Sequence, residues 1–372
     1  MILISKEIFM KITIIAGARP NFMKIAPIIH AIQKAQRKGN SISYRLIHTG
    51  QHFDEKMSHT FFTQLNIPEP HVNLNCGGGT QAEQTAAILV AFEKELMENP
   101  TDLVLVVGDV TSTMACSIVA KKLNTKVAHV EAGIRSFDLT MPEEINRLVT
   151  DSLTDYFFTT TSWAGENLLK SGVQESQIFL VGNVMIDTLL ANQHKFGAPK
   201  FWEDYQLKKK EYFVVTLHRP ANVDNSDKLK EMIHEITSNV RGLPIVFPMH
   251  PRTAKIYKEL GISAPNLFIV DPLGYHEFNY LVENALGVIT DSGGITEETT
   301  VMGVPCITLR DNTERPETIE IGTNELIGTD PKAIKPALEK LLSNQWKKGS
   351  IPYLWDGKAA ERIVECLSKI YG

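Results

Sequence analysis

Short apolar runs, separated by stretches of helical spacing, set the rhythm of this chain. Met10–Gly17, Ser43–Thr49, Asp102–Asp109, Val127–Gly133, Tyr156–Thr160 and Ile178–Gly182 each carry a near-continuous apolar stretch. Such runs predict strands buried on both faces, the signature of a parallel sheet covered by helices. Between them, Phe22–Lys34, Thr80–Asn99 and Ala164–Ser171 place apolar residues at helical intervals. The pattern lapses over 191–211, a charged and poorly patterned stretch read as a linker. It then resumes with Tyr212–Leu217, Pro244–Met249, Asn266–Val270, Ala285–Thr290 and Pro305–Leu309 as strands and Ile295–Met302 as a helix. An amphipathic helix over 357–370 closes the chain and is predicted to cross back to the first half. This alternation predicts an α/β protein with two doubly wound, parallel-sheet domains. One spans 10–190 with 357–372 crossing back; the other spans 191–356.

The predicted strand ends carry the polar residues, which is where open α/β sheets collect their ligands. The first ends in Gly17-Ala-Arg-Pro20, with Lys24 a turn further on. This is not G-x-G-x-x-G, so a nicotinamide-dinucleotide fingerprint is missing. Cations at a helix N-terminus oppose the dipole. A phosphate or carboxylate partner for Arg19 and Lys24 therefore explains them better than a solvated helix start. Gly50-Gln-His52 follows the second strand, and His52 reads equally as a site residue or a loop histidine. Cys76-Gly-Gly-Gly79 is expected to be mobile, in the manner of a lid.

The third and fourth strands end in acids, Asp109 and Glu131. Met141-Pro-Glu-Glu-Ile-Asn-Arg147 opens a helix, with Pro142 suited to its first turn. Glu143 and Arg147 then share a face. Taken alone, that pair is explained by an ordinary surface salt bridge. With Asp109 and Glu131 it offers three carboxylates, whose convergence would raise at least one pKa, as acid/base chemistry near neutral pH requires.

In the second half, strands end in His218-Arg219, His250-Pro-Arg252, Asp291 and Arg310. Imidazole and guanidinium groups around a glycine-rich turn can bind a diphosphate without a metal. His250 reads equally as a capped or buried histidine; the Arg219 beside His218 strengthens the functional reading there. The stretch Thr290-Asp-Ser-Gly-Gly-Ile-Thr-Glu-Glu298 joins a buried strand to a helix. Ser292, Gly293 and Gly294 let the backbone approach a ligand, and the helix N-terminus favours an anion. Glu297 and Glu298 are expected in the first helical turn. There they either complement the dipole or accept hydrogen bonds from ribose hydroxyls. A nucleotide or nucleotide sugar is the ligand class implied.

Composition narrows the alternatives. A length of 372 residues fits two cores better than one. An apolar content of 43 % and a charged content of 22 % are ordinary for a globular protein. The net charge of −5 argues against a nucleic-acid partner. Cys76, Cys116, Cys306 and Cys366 lack metal or disulfide-frame spacing and read as reduced thiols of a cytoplasmic protein. No apolar run approaches bilayer length, and 1–9 lacks the pattern of a signal peptide, so no membrane partner is expected.

Read together and in order, several motifs resemble one family. They are Gly17-Ala-Arg-Pro…Lys24, Gly50-Gln-His52, Gly108-Asp109, His129-Val-Glu-Ala-Gly133, Pro142-Glu-Glu…Asn-Arg147, Asp291-Ser-Gly-Gly-Ile…Glu-Glu298 and Arg310-Asp…Thr-Glu-Arg-Pro316. The chain resembles the non-hydrolysing UDP-N-acetylglucosamine 2-epimerases from Lys11 to near its C-terminus. The resemblance implies a GT-B-like fold, two Rossmann-type domains with the active site in the interdomain cleft. It implies reversible conversion of UDP-GlcNAc to UDP-ManNAc, by elimination of UDP to a 2-acetamidoglucal and re-addition, a step feeding surface-polysaccharide precursors. It implies a homodimer and neither cofactor nor metal.

Carried over by position, Asp109, Glu131 and Glu143 resemble the acid/base set, with His218 beside them. Arg19, Lys24, Arg147 and His250 resemble substrate-holding groups. Ser292, Gly293 and Gly294 resemble the diphosphate loop, Glu298 the ribose acceptor and Arg315 a further cation. Phe278 stands where the family sets an aromatic against uracil, and Leu273 where a backbone contact is made. Two positions depart from the commoner pattern: Val110 stands for Thr, and Phe53-Asp54 follows His52 where many members have Arg. The second departure argues against activation by a second UDP-GlcNAc. Gly-Ala-Arg-Pro also occurs in relatives acting on UDP-2,3-diacetamido uronic acids, while Glu314-Arg-Pro-Glu317 leans toward the GlcNAc enzymes. A hydrolysing 2-epimerase, a GT-B glycosyltransferase and a catalytically silent sensor are the other readings. The intact carboxylate set favours the epimerase over the last two.

Overall fold

The computed structural model describes residues 10–51, 62, 64–249, 254, 257, 259–261 and 263–371. Contacts divide the chain into two compact units, one running to Leu190 and resuming at Tyr353, the other Ala191–Pro352.

The first unit holds a seven-stranded parallel sheet in the order β3-β2-β1-β4-β5-β6-β7. Its strands are β1 Met10–Ala16, β2 Ile42–His48, β3 Val72–Asn73, β4 Leu103–Val107, β5 Lys126–Val130, β6 Tyr156–Thr159 and β7 Ile178–Leu180. Strand β4, Leu-Val-Leu-Val-Val, is buried along its whole length. Leu103, Leu105 and Val107 face one core and Val104 and Val106 the other, because successive side chains point to opposite faces. The expected two-sided burial is therefore met.

The helix Arg19–Arg37 covers one face and begins three residues before the predicted Phe22. Pro20 fits its first turn, and the Asn21 side chain accepts from the N–H groups of Gly17 and Ala18 at 3.0 and 2.9 Å. Pro27 lies inside this helix and cannot bond the Met23 carbonyl. The Thr188 hydroxyl donates to that carbonyl instead, at 2.5 Å. The last helix, Ala359–Tyr371, buries Ala359, Ala360, Ile363, Val364 and Leu367 in the same core. Asp187 accepts from the N–H groups of Ala359 and Ala360 at its start. Gly182 admits the returning chain: at its φ of +91° a Cβ would stand 2.1 Å from the Leu354 carbonyl oxygen.

The second unit holds a six-stranded parallel sheet in the order β10-β9-β8-β11-β12-β13. Its strands are β8 Phe213–Thr216, β9 Ile245–Pro248, β10 Leu267–Val270, β11 Gly287–Thr290, β12 Cys306–Thr308 and β13 Asn324–Leu326. Phe213 and Val215 face one core, Tyr212 and Val214 the other. The stretch 191–211, expected to be linker, is built into this unit. Phe201–Asp204 is a short helix, and Trp202 packs edge-on against Tyr212 and Tyr280. Its charges masked an aromatic set whose partners are remote in sequence.

Both sheets reverse strand order once, between β1 and β4 and between β8 and β11. Those are the topological switch points, where helices leave in opposite directions and open a crevice at the carboxyl ends of the strands. The fold is thus two Rossmann-type, doubly wound α/β domains. Among the described residues, no helix is long and apolar enough to cross a membrane.

Candidate active site

At the first switch point the ends of β1, β4 and β5 bring cations onto carboxylates. Lys24 Nζ lies 2.6 Å from Glu131 Oε2, with both side chains nearly enclosed. Arg147 joins two acids: its guanidinium meets the Asp109 carboxylate and, 2.9 Å away, Glu144 Oε2. Asn146 donates to the Asp109 carbonyl at 2.9 Å. Gly108 has φ +66°, and a Cβ there would press to 2.8 Å from Lys24 Nζ. The positive φ favours glycine there, and a Cβ would also displace the lysine head.

Glu131 has φ +69°, a left-handed conformation rare for a residue with a Cβ. Such strain costs on the order of 1–3 kcal/mol and persists where the surroundings fix it. Here the N–H groups of Glu131 and Ala132 both donate to the Phe158 carbonyl, at 3.0 and 3.2 Å. The carboxylate meets Lys24 beside Gly108, where a Cβ would lie 3.7 Å from Glu131 Oε2.

The expected Glu143–Arg147 pairing is corrected. Glu143 and Glu144 lie four and three residues before Arg147, and either spacing permits contact. Glu144 turns inward, accepting from Ser136 N, Ser136 Oγ and Phe137 N as well as Arg147. Glu143 is exposed in the first turn of the helix Pro142–Leu153. Of the other two expected carboxylates, Asp109 is paired with Arg147 and Glu131 with Lys24. Gln51 was missed by sequence reasoning as a structural residue. Its Oε1 accepts from Ser112 N and Oγ at 3.1 and 2.8 Å, at the start of the helix Thr111–Lys122. With Val110 at the N-cap position, that helix has no side-chain cap of its own. In the Cys76–Gly79 segment, expected to be mobile, Cys76 is buried and its N–H donates to the Thr49 carbonyl at 2.8 Å, while the three glycines are exposed.

In the second unit the site centres on Asp291, which is fully buried at the end of β11. Its carboxylate accepts from the N–H groups of His218 and Arg219 and from Asn222 Nδ2. His218 Nδ1 lies 2.7 Å from Asp291 Oδ1, while the imidazole is 60 % exposed. Burial opposes the charge on Asp291, yet the His218 bond and the Arg219 N–H hold its carboxyl below the usual range. The pairing presents Nε2 of His218 outward.

The helix Gly293–Met302 starts directly after Ser292, two residues earlier than the expected Ile295, and no side chain caps it. Glu297 and Glu298 consequently fall in the second turn, so the simple dipole explanation for them is lost. Glu297 is paired with Arg315, Oε1 to Nε, at 2.7 Å. Glu298 is buried and receives the Tyr275 hydroxyl at 3.2 Å. Burial lifts its pKa to about 7. Arg315, expected as an open binding cation, is buried against Glu297, and Arg310 is similarly held by Glu314 at 2.7 Å. Phe278 and Leu273 are half-buried at and just before the helix Tyr275–Asn284. The Arg19 side chain, His52 and His250 lie outside the described residues. Among the described residues, no three His, Cys, Asp or Glu side chains are grouped so as to hold a metal ion.

Known proteins match this chain along nearly its whole length. The family profile described as UDP-N-acetylglucosamine 2-epimerase matches residues 34–368. A UDP-N-acetylglucosamine 2-epimerase of Methanocaldococcus jannaschii is 43 % identical, covering 96 % of this chain and 99 % of its own. A UDP-2,3-diacetamido-2,3-dideoxy-D-glucuronate 2-epimerase of Pseudomonas aeruginosa is 38 % identical, covering 97 % and 100 %. Among solved structures, the Methanocaldococcus jannaschii UDP-GlcNAc 2-epimerase in complex with UDP-GlcNAc and UDP superposes with a TM-score of 0.85, covering 98 % of this chain and 100 % of its own. With a profile match over residues 34–368 and a relative 43 % identical over nearly its full length, the chain belongs to the UDP-N-acetylglucosamine 2-epimerase family.

Proposed function

We propose that this protein interconverts UDP-GlcNAc and UDP-ManNAc by eliminating UDP to a 2-acetamidoglucal and re-adding it at C1, with the C2 proton returned to the opposite face. The observation that carries the reading is the pair of carboxylates at neighbouring strand ends, Asp109 and Glu131, each set against its own cation. A sugar C2–H is barely acidic, so its loss must accompany departure of the diphosphate. That asks for a base, an acid for the return step, and donors that stabilise the leaving charge.

Asp109, Glu131 and Glu143 fill the acid/base roles in this reading. Arg19, Lys24 and Arg147 hold and neutralise the substrate. The Ser292 side chain, the uncapped N–H groups of Gly293 and Gly294 and the outward edge of His218 serve the diphosphate; His250 and Arg315 complete that set. Glu298 accepts from the ribose and Phe278 lies against uracil.

Proton NMR with UDP-GlcNAc in D2O tests the proposal. UDP-ManNAc should appear, with deuterium at C2 of both isomers. Free ManNAc with stoichiometric UDP would move the protein to the hydrolysing class. The 38 % identical Pseudomonas aeruginosa relative makes the diacetamido uronic acid the second substrate to try if UDP binds unchanged.

We also propose a homodimer. Phe137, Leu139, Ile145 and Leu148 form an exposed apolar set on the helix Pro142–Leu153 and the loop before it. Ile145 and Leu148, three residues apart, share one helix face, and clustered solvated apolar groups favour association. Sedimentation velocity should give a dimer, and a monomer at micromolar concentration would remove the proposal.

A further inference from the structure

Behind the two reactive strand ends lies a buried charge network that the proposed chemistry does not use directly. His129, on β5, is fully buried. Its Nδ1 is 2.7 Å from Asp151 Oδ1, and its Nε2 is 2.8 Å from the Gly108 carbonyl oxygen. A carbonyl oxygen only accepts, so Nε2 carries a proton. Burial works against the charge on Asp151, but the His129 bond and the Arg135 guanidinium, 2.6 Å away, keep its carboxyl below the usual range. An ionised carboxylate also only accepts, so Nδ1 carries a proton too. Both ring nitrogens therefore donate, and the ring is an imidazolium inside the core.

The network touches both reactive turns. Gly108 is the residue before Asp109, and its carbonyl is the one His129 holds. Asp151 Oδ2 accepts from Gly133 N at 3.1 Å, two residues beyond Glu131, while His129 lies two residues before it. Asn167 donates to the Gly133 carbonyl at 3.0 Å, closing the far side of that turn. The strained Glu131 backbone is thereby clamped on both flanks. Asp151 also lies one helical turn beyond Arg147, so a single helix grips Asp109 through one residue and the network through the other.

We propose that His129, held as an imidazolium by Asp151, is a positioning residue that fixes the Asp109 and Glu131 turns for proton transfer. The proposal rests on the epimerase reading for its kinetic consequence and not for its charge state. Two measurements separate these. In the full-length protein with 15N-labelled histidine, long-range proton–nitrogen correlation should show an imidazolium signal that disappears in His129→Gln. A neutral tautomer at His129 would overturn the proposal.

In the second measurement, His129→Gln and Asp151→Asn should each lower turnover and C2 deuteration by about 100-fold, the cost of an ångström-scale misplacement. UDP affinity should stay unchanged. Wild-type turnover in the variants, or equal losses of turnover and UDP affinity, would overturn positioning. An inactive wild-type protein would instead sink the epimerase reading, with the nitrogen spectrum still deciding the charge state.

Discussion

Asp109→Asn and Glu131→Gln are each expected to cut epimerisation by about a hundred- to ten-thousand-fold, the range that a positioned acid or base contributes. UDP affinity should remain near that of the wild type, because the proposed nucleotide contacts lie on other residues. C2 deuteration measured by NMR and UDP binding measured by calorimetry check the two halves of the expectation. The two variants differ in one respect. Glu131 is the partner of a Lys24 ammonium only 12 % exposed, so its amide leaves an enclosed charge without its counter-ion. Asp109 is 28 % exposed and its partner Arg147 keeps a second carboxylate, Glu144. Glu131→Gln should therefore also lower the melting temperature, and Glu131→Gln with Lys24→Met should recover it without recovering activity. A single variant that keeps most of its turnover removes that residue from the acid/base set.

Nucleotide binding is expected to strengthen as pH rises through neutrality, and Glu298 is the cause. To accept from two ribose hydroxyls its carboxyl must be ionised, and burial has raised its pKa from 4.5 to about 7. Below that value each pH unit should weaken UDP binding toward the limit of about tenfold. The sign for folding is opposite. An acid whose pKa is raised on folding contributes stability that is complete below 4.5 and is lost as pH rises to about 7. The rise in melting temperature produced by UDP should therefore grow across this window while the stability of the free protein declines. Asp187, lifted to about 6 by burial, adds to the second trend but not to the first. Glu298→Gln separates them: it should flatten the pH dependence of UDP affinity. An unchanged pH dependence in that variant would detach Glu298 from the ribose.

Much of the fold was legible because strand burial is written locally. A run such as Leu103–Val107 has no polar face to offer solvent, so it predicts a strand covered on both sides wherever it lies. Glycine-led strand ends were equally local, and they marked the turns at Gly17, Gly108 and Gly293. The short strands β3 and β13 and the aromatic packing of Phe201, Trp202 and Tyr205 were not legible, since they depend on partners elsewhere in the chain.

The site divides in the same way. Residue type and order along the chain determined which groups stand at strand ends: Lys24, Asp109, Glu131, His218, Asp291. Only the tertiary structure decided how they pair. Two adjacent glutamates lie within helical reach of Arg147, and burial selects Glu144 by giving it three further donors from Ser136 and Phe137. Arg315 reads in the sequence as a binding cation, and the fold sets it against Glu297. His129 reads as one more residue of an apolar strand, and its two acceptors, Gly108 and Asp151, come from β4's end and a distant helix. Spacing fixes reach along one element; which of several reachable partners is taken depends on which contact leaves the fewest buried charges and donors unsatisfied, and that is a property of the whole fold.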